Sequence, residues 1–256
     1  MSASCIIEGL QVAFGQREIL HDVHFSAPAT GLSVIVGRSG SGKTTLLRAL
    51  NRLNETLPHC HTQGRVRLNL GQGLEDIYPH GDAPAAPHRP VSELRRLVGM
   101  VFQTPNVLPV SVAQNIALPL KVVRGIAPAE LDDRVQAALM AVGLWREIAD
   151  RLHFPAEQLS GGQQQRLCLA RALALEPAMI LLDEPTASLD VHATGTIEDM
   201  LLELGATYPL IIVSHNPRQA ARIAHSLTVM AAGQVQAHFA SDLPDATTIA
   251  ALLHEG

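Results

Sequence analysis

Positive charge is in short supply in this sequence. The 256 residues hold 19 Lys and Arg against 24 Asp and Glu, a formal charge of −5 with histidines neutral. A surface for DNA or RNA needs clustered cations to meet the phosphates, so nucleic acid is not the expected partner. Cysteine is scarce too. Cys5, Cys60 and Cys168 are widely spaced and form no CxxC pair, which argues against a disulfide framework and against a four-thiolate zinc site, and fits a reducing cytoplasm. The N-terminal MSASCIIEGL lacks the basic start and apolar core of a secretory signal, and no run approaches the roughly 18–20 apolar residues that span a bilayer. Any membrane role is therefore expected to come through a partner. Charged residues are also few, at 17% against about 25% in an average protein, whereas the 47% apolar content is ordinary for a folded chain and excludes disorder as the main state.

Short apolar runs recur between stretches of helical character: LSVIV at 32–36, VGMVF at 98–102, MILLD at 179–183, LIIVS at 210–214 and LTVM at 227–230. Each is rich in Val, Ile and Leu without strict alternation, the pattern of strands buried on both faces, so an α/β core is expected. RVRLNL at 65–70 does alternate. Val66, Leu68 and Leu70 share one side, which suits a half-exposed antiparallel strand in a peripheral β-layer. From Pro128 the apolar spacing becomes helical, with Leu131, Val135, Leu139 and Val142 on one face and Gly143 as the stop. The expected organisation is one domain over 1–256, with a core formed by 1–103 and 166–256 and a helical insertion over 104–165. Gly71 to Pro90, dense in Gly, Pro and His, reads as a surface loop.

GRSGSGKT at 37–44 fits G-x-x-x-x-G-K-[ST] and lies between the strand LSVIV and a helix predicted over TTLLRALNRL, 44–53. That context makes it a phosphate cradle: glycines allow a tight loop whose N–H groups point inward, the next helix offers its positive end, Lys43 neutralises phosphates and Thr44 ligates Mg²⁺. Gly37, Ser39, Gly40, Ser41, Gly42, Lys43, Thr44 and Thr45 are the candidate nucleotide-binding set. MILLDEP at 179–185 delivers Asp183 and Glu184 to the end of a central strand, where open α/β sheets bind ligands. Asp183 is the candidate Mg²⁺ holder. Glu184 is the candidate for polarising the water that attacks the γ-phosphate.

LSGGQQQR at 159–166 is far rarer by chance than the phosphate loop, and through it the sequence resembles the ATP-binding subunits of ABC transporters. Physically the segment is also a helix N-cap, Ser160 followed by two glycines. The resemblance implies a P-loop NTPase fold of the RecA-like kind with a peripheral antiparallel β-subdomain and an inserted α-helical subdomain. It implies a head-to-tail homodimer in which Ser160, Gly161 and Gly162 of one subunit bind the γ-phosphate held by Lys43 of the other, with Gln163 in the same nucleotide-binding set. Gln103 looks like the Q-loop glutamine that reaches Mg²⁺ and the attacking water, and His215 like the switch histidine on the γ-phosphate. Ser188, Leu189 and Asp190 look like the D-loop across the dimer, and Phe14 sits where the family stacks an aromatic on adenine.

Within the family, 47–58, 93–109 and 213–224 look most like the ATPase subunits of bacterial phosphate importers. That likeness implies MgATP hydrolysis on the cytoplasmic face of the inner membrane, driving two permease subunits fed by a periplasmic or extracellular solute-binding protein. Another solute importer and a non-transport membrane complex are the alternatives. A soluble ABC protein acting on nucleic acid or translation is disfavoured, since such proteins usually carry two nucleotide domains in a chain. Two positions depart from the pattern: Arg38 stands where many relatives have Pro, and Val191 follows Asp190 where phosphate importers usually carry Pro. His59, Cys60 and His61, with His80 and His88, resemble soft metal ligands, but adjacent side chains do not easily face one ion and a plain loop is the expectation. Arg95 and Arg96 read as a solvated helix start rather than a lipid contact.

Overall fold

The computed structural model describes residues 3–78, 89–187 and 189–255. In chain order the elements are β1 (Ala3–Phe14), β2 (Arg17–Pro28), β3 (Gly31–Gly37), α1 (Lys43–Ala49), β4 (Cys60–Asn69), β5 (Leu74–Asp76), α2 (Val91–Leu97) and β6 (Val98–Val101). Next come α3 (Val112–Arg124), α4 (Leu131–Ala141), α5 (Trp145–Ile148), α6 (Gly161–Ala174), β7 (Met179–Asp183) and α7 (Val191–Gly205). The chain ends with β8 (Pro209–Ser214), α8 (Pro217–Ile223), β9 (Ser226–Ala231), β10 (Gln234–Phe239) and α9 (Ala246–Glu255).

The five apolar runs fall in one sheet. Its order is β10-β9-β3-β8-β7-β6, parallel from β9 to β6 with β10 antiparallel at the edge. Every residue of β3, β7 and β8 is buried, which is why these segments are apolar throughout. Their two faces feed two cores. Ile35, Leu181, Ile211 and Val213 point to α1 and the second sheet, an antiparallel layer of order β2-β1-β4-β5. Val34, Val36, Leu182, Leu210 and Ile212 point to the other side, where α6, α7 and α8 pack. At roughly 1.5–3 kcal/mol per fully buried aliphatic side chain, each strand is anchored from both faces, and that fixes where its C-terminal end emerges. This is the P-loop NTPase arrangement.

Between β6 and α6, helices α3, α4 and α5 continue the second core with Val112, Ile116, Val135, Leu139 and Ile148. The periodicity from Leu131 is borne out: Val135, Leu139 and Val142 are buried, and Gly143 turns the chain at φ 65°. RVRLN closes β4 and Leu70 follows it directly, with Val66, Leu68 and Leu70 buried.

Three local expectations are corrected. The helix after the phosphate loop ends at Ala49, not Leu53, because asparagine side chains take over the backbone groups: Asn51 Oδ1 accepts from the Leu53 N–H at 3.2 Å, and Asn54 Nδ2 donates to Thr45 O at 2.8 Å. The loop read over 71–90 contains β5 and then buried Ile77 and Tyr78, whose hydroxyl donates to Ala49 O at 2.8 Å. Arg95 and Arg96 sit in the last turn of α2 and are half-buried; Arg95 donates to Arg52 O at 2.9 Å. At the 59–61 segment, the alternation entering β4 exposes His59 and His61 and turns Cys60 inward, so the three do not converge. No metal-ligating cluster occurs among the described residues, and His80 and His88 lie outside them.

Candidate functional site

The phosphate loop leaves the buried end of β3 and closes on itself. Gly37 has no room for a side chain: a Cβ there would lie 2.4 Å from Met230 O and 2.5 Å from Ser41 Oγ. Gly42 caps α1 in the left-handed region, φ 97°. Lys43, only 5% exposed, donates from Nζ to Gly37 O at 2.8 Å and to Arg38 O at 2.9 Å, so its ammonium is held inside the loop by carbonyls. Burial pushes its pKa down while Glu184 and Asp183 pull it up. Ser41 Oγ is buried without a partner among the described residues. A buried cation and an unpaired hydroxyl in a glycine-rich loop suit an anionic ligand.

The end of β7 faces this loop. Asp183 Oδ1 accepts from Thr44 Oγ1 at 2.9 Å, and burial raises the Asp183 pKa against the opposing pull of Thr44, Arg48 and Lys43. Glu184 follows in the left-handed region at φ 48°, a conformation costly for a non-glycine residue, with its N–H on Val213 O at 3.0 Å. That kink separates Glu184 from the buried strand and brings its Oε2 to 2.9 Å from His215 Nδ1. His215 stands at the end of β8, exposed, over a cleft of about 330 Å³ that Glu184, Thr186, Leu189, Val191 and Ser214 also line.

The glycine-rich segment forms the start of α6. Ser160 Oγ accepts from the Gln163 N–H at 3.3 Å, and Gln163 Oε1 accepts from the Ser160 N–H at 3.2 Å, a complete capping box. This end is on the surface, in a second cleft of about 350 Å³ with Glu147, Arg166, Asp190, His192 and Thr196. No residue of the phosphate loop lines it. The sequence-predicted residues therefore fall into two groups within one chain.

Comparisons with known proteins show the family. The pattern that defines the ABC transporter family matches residues 20–187. The chain belongs to the ABC transporter family. It is 44% identical over 218 residues to a protein of Vibrio parahaemolyticus named phosphate import ATP-binding protein PstB 1, covering 85% of this chain and 76% of that one. To the phosphate import ATP-binding protein PstB of Colwellia psychrerythraea it is 39% identical, over 90% of this chain and 78% of the other. Among solved structures, cbiO1 of Clostridium perfringens has a TM-score of 0.78 at 23% identity, over 98% of this chain and 92% of that one, which shows the fold. The ATP-binding cassette MJ0796, described as a dimer in a post-hydrolysis state with ADP and Pi, has a TM-score of 0.75 at 25% identity, over 93% of this chain and all of that one.

The remaining predicted residues lie on or beside several elements of this ABC chain. Gln103 is exposed just after β6, and the Phe102 carbonyl beside it is held by Gln165 Nε2 at 3.1 Å. Phe14 ends β1, half-buried against the inter-sheet core rather than free. Asp190 caps α7, Oδ1 accepting from His192 and Ala193 at 2.9 Å each, whereas Ser188 lies outside the described residues. Sequence reasoning missed the supports behind these groups. Glu147 of α5 takes both Arg166 amino groups, at 2.7 and 2.9 Å, and Gln163 Nε2 at 3.0 Å, and the Arg166 bonds hold its carboxyl below the usual range. Arg166 belongs to LSGGQQQR, but Glu147 lies in another segment with no motif of its own. Behind His215, Ser214 Oγ donates to Gln219 Oε1 at 2.8 Å, and Gln219 Nε2 donates to Thr186 Oγ1 at 2.7 Å, bracing the ends of β7 and β8 together.

The Thr44 hydroxyl and the Asp183 carboxylate are hard oxygen donors side by side at the phosphate loop. Mg²⁺ is usually held by one or two protein oxygens together with phosphates rather than by an all-protein cage, so this donor set fits it.

Proposed function

We propose that this chain is the ATP-hydrolysing subunit of a bacterial phosphate importer, working as a head-to-tail homodimer on the cytoplasmic face of the inner membrane beneath two permease subunits supplied by a solute-binding protein. The observation that carries hydrolysis is the pairing of Glu184 with His215 at 2.9 Å beside the Thr44–Asp183 pair. Lys43 gives up its loop carbonyls for phosphate oxygens. Bound Mg²⁺, held by Thr44 and Asp183 with Gln103 reaching it from β6, would offset charge on the phosphates. Glu184 orients a water in line with the γ-phosphorus and draws on its proton as the new P–O bond forms and the bond to the β-phosphate oxygen breaks; ADP and phosphate leave. His215 steadies the Glu184 carboxylate through Nδ1 and turns its other nitrogen toward the γ-phosphate. Phe14 supplies the adenine contact.

A single chain leaves the phosphate loop uncovered. The exposed start of α6, with Ser160 and the Gly161 and Gly162 N–H groups, supports its use on a partner's γ-phosphate, because helix N-termini favour anions. The likeness to proteins named for phosphate import supports phosphate as the solute, carried by other subunits. Glu184→Gln is expected to keep MgATP binding, to accumulate a stable ATP-bound dimer and to lower steady-state hydrolysis about 10³-fold. Near-normal turnover in that variant would remove Glu184 from the reaction. Deleting the subunit in its native cell is expected to reduce high-affinity phosphate uptake and to spare unrelated solutes. If another solute failed to enter instead, phosphate would be the wrong cargo; an envelope defect with uptake intact would indicate a non-transport complex.

A further inference from the structure

Arg38 is the departure in the phosphate loop that the hydrolytic site does not use. Its carbonyl is held by Lys43 Nζ at 2.9 Å and by the Ser41 N–H at 3.2 Å, so the backbone is pinned. Its side chain is exposed and, among the described residues, makes no hydrogen bond or ion pair. The cleft that Arg38 lines is shared with Met230, Ala231, Ala232, Leu252 and Leu253 and has no acidic side chain in its lining.

Its complement lies in the other group of site residues. Asp190 is exposed, and only Oδ1 is taken up by the helix cap; Oδ2 accepts from no other described residue. The N–H groups of Ala193 and His192 hold its carboxyl below the usual range, so the group is ionised at neutral pH. The arginine that lines the same cleft, Arg166, is committed to Glu147. Asp190 and Ser160 line one cleft, so any docking that lays Ser160 of one subunit over the other's phosphate loop brings Asp190 along. A carboxylate carried toward a triphosphate is repelled unless a cation stands between them. Val191, next to Asp190, is 91% exposed and lines the neighbouring cleft of Glu184 and His215.

We infer that, when two chains close over ATP, Arg38 of one pairs with Asp190 of the partner subunit at the seam beside the nucleotide. The inference rests on the head-to-tail reading above. The pair makes the approach of Asp190 favourable and adds a charge-dependent increment to the ATP-bound dimer.

The test is a double-mutant cycle on ATP-driven dimerisation of the full chain in a Glu184→Gln background, read by sedimentation velocity with MgATP at low and moderate salt. Arg38→Gln is expected to weaken the dimer about 5- to 10-fold at low salt and to flatten its salt dependence. Asp190→Asn keeps the helix cap and should weaken it comparably. In the Asp190→Asn background, Arg38→Gln is expected to change the dimer less than about twofold. Two results overturn the pairing: effects that multiply independently, or an Arg38→Gln loss that appears equally in ATP binding to the monomer, which would assign Arg38 to the nucleotide. If the Glu184→Gln background formed no dimer with ATP, the head-to-tail reading would fall and this inference with it; a dimer without coupling sinks the inference alone.

Discussion

The two halves of the candidate site are built in opposite ways. At the phosphate loop the charges are buried: Lys43 sits among carbonyls of its own loop, and Asp183 is raised by desolvation although Thr44, Arg48 and Lys43 stand near. At the start of α6 the groups are exposed and mutually satisfied, Ser160 and Gln163 closing each other's hydrogen bonds on the surface. A buried, charge-strained half holds a ligand by itself because low dielectric strengthens each contact. An exposed cap gains only when something covers it. The difference teaches that one chain carries one buried half-site and one exposed one, which the proposed head-to-tail dimer would join between chains.

The largest effect should come from breaking each half in turn. Lys43→Ala removes the buried cation and is expected to lower both ATP affinity and hydrolysis, the latter about 10³-fold. Ser160→Arg should stop hydrolysis to a similar degree while ATP affinity measured on the monomer stays close to wild type, because in the proposed dimer that group acts on the other subunit's ligand. Mixing the two variants yields heterodimers with one composite site bearing both defects and one bearing neither. Partial return of hydrolysis is the expected result. If mixing restored nothing, each site would be complete in one chain and the contrast between the halves would lose its meaning.

The buried half was largely legible in the sequence and its surroundings were not. Buried parallel strands are apolar on both faces, so LSVIV, MILLD and LIIVS announce themselves, and the loop and the Asp-Glu pair are read from the residues next to them. β1 and β2 carry no such signature. Their pairing shifts register near Cys5, Leu10 and Val12, and each bulge breaks the period of two by which a half-exposed strand is recognised. The end of α1 depended on where two asparagine side chains reach, and Tyr78 was hidden in a Gly- and Pro-rich stretch because its hydroxyl bond to Ala49 spans 29 residues. In the exposed half LSGGQ was plain. The Arg166–Glu147 pair behind it joins residues 19 apart, and no local pattern encodes that.

A smaller effect sharpens the contrast from the exposed side. Glu147 keeps Arg166 neutralised and steadies Gln163, so Glu147→Gln leaves a largely buried guanidinium half-satisfied; with Glu147 itself partly exposed, the cost is about 1 kcal/mol. The sign with pH is that of a depressed carboxylate. The ion-pair increment is fully present above the ordinary glutamate pKa of about 4.3 and is lost as the pH falls through the lower folded value. Chemical denaturation of wild type and variant should differ at pH 7 and converge in acid. A difference that persisted unchanged at low pH would mean that the carboxylate charge is not what holds α5 to α6.

The smallest effect separates a cap that only folds from one that also binds. Ser111 and Gln114 open α3 with the same capping box that Ser160 and Gln163 make at α6. Ser111→Ala and Ser160→Ala should therefore each cost about 1 kcal/mol of stability, seen as a similar fall in Tm. Their consequences for hydrolysis should diverge. Ser111 lines neither cleft and its loss leaves turnover per folded molecule unchanged, whereas Ser160→Ala should also lower hydrolysis several-fold, since a hydroxyl that has stopped capping is equally lost to the partner's phosphate. Equal stability losses with equal, near-normal hydrolysis would reduce Ser160 to a structural cap. The exposed half would then have to work through the Gly161 and Gly162 N–H groups alone.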